Sequence, residues 1–71
     1  MASRERLEKK LRRYRILLAD YHRLIKETDQ DMKDGLIPKE KGRKRKNKFV
    51  GKKDKVLSKM KAARMKLQES E

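Results

Sequence analysis

Leu7, Leu11, Tyr14, Leu18, Tyr21, Ile25, Thr28 and Met32 follow one another at alternating steps of four and three residues. All but Thr28 are apolar or aromatic, and mostly polar or charged residues fill the intervals. This is the a/d seam of a heptad helix, not the two-residue alternation of a strand. The pattern predicts one long helix with an apolar stripe that needs a partner. Leu17 and Leu24 lie beside the seam and Ile16 farther round. They widen the stripe beyond a two-stranded seam and predict two neighbours: a second helix of the chain and another chain, or several chains.

Start and stop signals bracket this helix at about residues 4–34. Ser3 suits an N-cap, and Glu5 places an acid where the helix dipole favours one. Gly35 suits the left-handed position after the last turn, Leu36 can fold back onto Met32, and Pro38 follows. Pro38 can also open a second helix.

A second period appears later. Val56, Met60, Ala63 and Leu67 step by four, three and four, with Leu57 beside them. Phe49 and Lys53 extend the same register backwards. The second helix is expected over roughly 53–68, and from Pro38 only if tertiary contacts override Gly42 and Gly51. The chain therefore divides into a long heptad helix (1–35), a turn and basic connector (36–53), and a second amphipathic helix with a frayed tail (54–71). The expected fold is all-α, a helical hairpin or an antiparallel oligomer. Self-association is expected through Leu7, Leu11, Tyr14, Leu18, Tyr21, Ile25 and Met32.

Charge sharpens this picture. Residues 4–15 hold seven bases and two acids, and residues 27–34 hold four acids and one base. This order opposes the helix dipole, so it does not serve an isolated helix. It suits an antiparallel neighbour, within the chain or from another copy, that sets basic against acidic blocks. Residues 39–53 carry nine bases, Lys39, Lys41, Arg43, Lys44, Arg45, Lys46, Lys48, Lys52 and Lys53, against Glu40. Like charges and two glycines predict a mobile segment that becomes ordered on a polyanion.

The whole chain has 71 residues, a net charge of +13, 49% charged and 34% hydrophobic residues, and no cysteine. A chain this small has a marginal core of its own. Disulfides and thiolate metal sites are excluded, and a lone His22 builds no metal site. No apolar run approaches a membrane span, and no signal-peptide core is present, so an intracellular protein is expected. The charge points to nucleic acid, RNA or DNA, as the first partner, through the nine bases above together with Phe49. An acidic protein is the principal alternative. Arg43 to Lys46 also resemble a nuclear localisation cluster, which implies the nucleus in a eukaryotic or viral setting. An anionic membrane comes last, with no tryptophan to support it. Arg6, Lys10 and Arg13 form a second basic rim on the first helix.

Tyr14 and Tyr21 belong to the seam and are expected in the core. Phe49 can either stack on a base or anchor its segment on the core. Asp29, Asp31 and Asp34 match a calcium loop only superficially. No cofactor is expected. Nucleophile–base pairs, paired inward carboxylates and a phosphate-cradling glycine loop are all missing from the pattern, so no enzymatic activity is expected.

Overall fold

A computed structural model describes residues 2–69, with the backbone alone for Ala2 and Ser3. Helix α1 spans Ala2–Lys33 and helix α2 spans Lys39–Glu69. They pack antiparallel as a hairpin of 51 × 14 × 12 Å. The fold is all-helical, as the periodicity predicts. Helical backbone already includes Ala2, so Ser3 stands inside the first turn and not at the cap.

The turn follows from one conformational requirement. Gly35 has φ 73°, in the left-handed region where a side chain is disfavoured. The Leu36 amide then donates to the Asp31 carbonyl (2.9 Å) and the Gly35 amide to that of Met32 (3.2 Å). These two bonds form a Schellman motif. Its usual hydrophobic clasp does not form, and Leu36 is 71% exposed instead of folding onto Met32. The reason lies across the hairpin: Met32 is turned onto Gly42 of α2. The residue the motif would offer Leu36 is Asp31, which has no apolar side chain.

The largest departure from expectation is the connector. Residues 39–53 are not a mobile link; they are the first half of α2. The Pro38 carbonyl accepts from the Gly42 amide (3.0 Å), so helical bonding begins at the proline, which needs no donor there. The two helix-interior glycines cost about 1 kcal/mol each relative to alanine, and each like-charge pair some tenths. Packing against α1 outweighs both, because helices in proteins are stabilised mainly by burying one face.

That face continues the period of residues 56–67 back through Lys53, Phe49 and Lys46 to Gly42. All eight positions of this α2 seam are buried or half-buried, as are all eight of the α1 seam. Leu11, Val56, Met60 and Ala63 form the core, with Leu7, Tyr14, Leu18, Tyr21 and Leu67 packed against it. Thr28, 2% exposed, is the polar member of the α1 seam. Its hydroxyl donates to the Leu24 carbonyl (2.7 Å), so the Thr28 hydroxyl is not buried without a partner. Lys46 and Lys53 are only half-buried, in keeping with stems that cover apolar surface while the charged heads reach water.

Of the residues assigned from sequence to a seam between chains, Leu7, Leu11, Tyr14, Leu18 and Tyr21 thus pack in the core within one chain, and Ile25 and Met32 are half-buried on the same seam. The antiparallel neighbour that the charge blocks anticipate is α2. On the wider flank of α1, Leu24 is half-buried, whereas Ile16 and Leu17 are 64% and 39% exposed.

Candidate polyanion-binding surface

Folding into a helix splits the basic run by direction. Lys46 and Lys53 turn to the seam. Lys39, Arg43 and Lys46 line a hollow at the turn end together with Asp29, Met32 and Lys33. Lys46 Nζ donates to Asp29 Oδ1 at 2.9 Å, with both side chains about 40% exposed. This pair ties the basic start of α2 to the acidic end of α1. At such exposure an ion pair contributes little, so Asp29→Asn is expected to lower stability by no more than about 1 kcal/mol, and by less as salt rises. A larger, salt-independent loss in urea titrations would contradict that placement.

The remaining bases share a face. About a quarter-turn round α2 from the seam, Lys41, Arg45, Lys48, Lys52, Lys55, Lys59, Ala62 and Lys66 recur at alternating steps of four and three. All eight are exposed, seven are basic and none is acidic. At 1.5 Å per residue this stripe is roughly 38 Å long. Three of its bases, Lys55, Lys59 and Lys66, lie outside the run that dominates the sequence. The signal for them was the heptad itself: carried back from Phe49 to Gly42, it places these lysines in one row.

Antiparallel folding also redistributes the charge between the two ends. At the turn end, residues 27–47 hold seven bases and five acids. At the open end, residues 4–15 and 59–69 together hold eleven bases and three acids. The acidic end of α1 offsets much of the basic run, whereas the basic start of α1 meets a basic stretch of α2. The most positive part of the hairpin is therefore its open end, far from the longest run of bases in the sequence.

The aromatic rings are not free to stack on bases. Tyr14, Tyr21 and Phe49 are all half-buried on the seams. Phe49 and Tyr21 pack ring against ring, 6.4 Å between centroids and tilted by 31°. Of the two roles open to Phe49, the structure shows the anchoring one. His22 is exposed. Asp29 and Asp31 lie in α1 and Asp34 in the turn, and among the described residues no group of three potential ligands is placed to hold a metal. No described helix is long and apolar enough to cross a membrane.

No family model, curated protein or solved structure matches this chain.

Proposed function

We propose that the hairpin binds nucleic acid through the phosphate backbone, with little regard to sequence. The observation that carries this reading is the exposed stripe from Lys41 to Lys66, seven bases without an acid. Such a row is costly to the protein alone, because neighbouring like charges at helical spacing each oppose the helix by some tenths of a kcal/mol. A polyanion removes that repulsion and releases its own counterions, which favours binding.

The stripe's length, roughly 38 Å, is close to the 34–36 Å of one duplex turn. Its side chains are lysines and one arginine on a straight rod, suited to following phosphates and not to reading base edges. With the three rings on the seams, base stacking contributes little, so single strands gain no advantage over duplex. Self-association, expected from the sequence through the seam, is left with the outer apolar residues Ile16 and Leu17 of α1.

The test is a titration of duplex and single-stranded nucleic acid of varied sequence across a range of salt. If five to seven bases meet phosphates, log K should fall against log salt with a slope of about −4 to −6 on duplex, and less steeply on single strands. Replacing Arg45, Lys48 and Lys52 by Gln, all on the stripe, should flatten the slope by about 2–3. Replacing Arg43, Lys61 and Arg64 by Gln removes the same charge from exposed positions on the opposite side of α2 and should flatten it by less than about 1, by the same counting of contacts. Equal effects would mean that charge, and not the stripe, governs binding. A hairpin that binds no nucleic acid at moderate salt, yet captures an acidic protein, would replace this reading with the adaptor one.

A further inference from the structure

The stripe has one gap, and the gap has a shape. At position 62, where the four-and-three spacing calls for another base, the chain carries Ala62, followed by Ala63 on the seam. Two small side chains together leave a hollow at the open end, of about 160 Å³. Lys59 stands one turn before Ala62 and Lys66 one turn after it. Lys10 reaches the same hollow from α1, and Leu7 and Tyr14 complete the wall. The hollow is open to solvent and roomy enough to admit a phosphate group.

We infer that this hollow is a phosphate-binding subsite, in which Lys10, Lys59 and Lys66 converge on one phosphoryl group. The inference rests on the polyanion reading above and deepens it, by naming the place where the backbone is held most tightly. Three observations support it. No acid lines the hollow. Among the described residues, none of the three lysines forms an ion pair or hydrogen bond, so all three charges remain available. The hollow also lies in the end of the hairpin where bases outnumber acids most. The hollow at the turn end is larger, but Asp29 is in its wall and already holds Lys46. A phosphate entering there meets a carboxylate.

Three lysines from two helices differ from a row on one helix in a way that matters for binding. Along the stripe, successive bases follow successive phosphates, each as an independent point contact. In the hollow, three ammonium groups surround one phosphate, and the packed helices hold their backbones in place before the ligand arrives. Such a site should bind a small phosphate compound by itself, which a row of independent contacts should not.

Inorganic pyrophosphate is therefore the first probe, titrated into the isotope-labelled hairpin and followed by nuclear magnetic resonance. Saturable shifts confined to Lys10, Tyr14, Lys59, Ala62 and Lys66 are expected. Shifts spread evenly along α2 would overturn the subsite. Ala62→Glu sets a carboxylate between Lys59 and Lys66 at an exposed position, where a folded hairpin is expected and circular dichroism checks it. It should abolish the pyrophosphate shifts and weaken duplex binding about tenfold, on the scale of one to two lost phosphate contacts near 0.1 M salt. Ser58→Glu adds the same charge one turn away, outside the hollow, and should weaken duplex binding less than half as much on a logarithmic scale. Equal losses from the two variants would overturn the subsite while leaving the nucleic-acid reading intact. Pyrophosphate binding at the hollow without any duplex binding would do the reverse, retaining the subsite for a free phosphate compound.

Discussion

Met60→Glu should unfold the hairpin at room temperature, and Met65→Glu should leave it folded. The two methionines lie on the same helix, five residues apart, and the same charge is introduced at each. Met60 is 5% exposed in the core, whereas Met65 is 53% exposed. A carboxylate at the buried position is set among the apolar side chains of the core. An uncompensated buried charge costs about 3–5 kcal/mol. A domain of this length has about 4–10 kcal/mol of stability in total. The lost methionine packing adds to the deficit. Far-UV circular dichroism with thermal and urea denaturation reads the outcome directly. The deficit should shrink as pH falls, because burial raises the pKa of the introduced carboxyl and the neutral form is tolerated better. The comparison must be made against wild type at each pH, since native acids titrate in the same range. A Met60→Glu hairpin as stable as wild type would show that the α2 seam is not the core.

The second large effect comes from two glycines that look alike in the sequence. Gly42 and Gly51 both lie within α2, and replacing either by alanine gains helix propensity of about 0.5–1 kcal/mol. At Gly51 a Cβ meets nothing within 4 Å, so that gain should appear in full as added stability. At Gly42 a Cβ would run into Sδ and Cγ of Met32. Methionine is adaptable, but Cγ is close to the backbone and cannot swing clear without a new rotamer of the whole side chain. Overpacking of this kind costs about 1–3 kcal/mol. Gly42→Ala should therefore be net destabilising, and Gly42→Leu more so. Met32→Ala in the Gly42→Ala background should remove the steric part, visible as a favourable coupling energy in a double-mutant cycle. If Gly42→Ala proves as stabilising as Gly51→Ala, the close approach of α1 and α2 at the turn end is wrong.

These glycines also show where local reading of the chain runs out. By propensity alone both weaken a helix, and together with the bases around them they predict a mobile connector. Gly51 acts as propensity says, but Gly42 is required: only a residue without a side chain lets Met32 close the turn end. The difference depends on what stands opposite, across the hairpin. Lys46 is the same kind of case. In sequence it is one more base in a run, and in the fold it is a seam residue held to Asp29.

The sequence by itself determined what depends on neighbours along the chain. The steps of four and three from Leu7 to Met32 define α1, because residues at that spacing share a helix face whatever the rest of the molecule does. Gly35 stops it, because only glycine adopts a positive φ at little cost. The seam of residues 56–67, the all-helical class, the core place of Tyr14 and Tyr21, and the antiparallel sense implied by opposed charge blocks were legible for the same reason. Only the tertiary structure decided the rest: that α2 covers the α1 seam, that residues 39–53 are helical, and that Phe49 packs on Tyr21. It also decided that the bases form a stripe to Lys66, with the open end the most positive. Helix propensities and like-charge repulsions are each about 1 kcal/mol or less, so a packed face outweighs them. Charges act through space, so their sum over a stretch of sequence does not say where in the fold the potential is greatest.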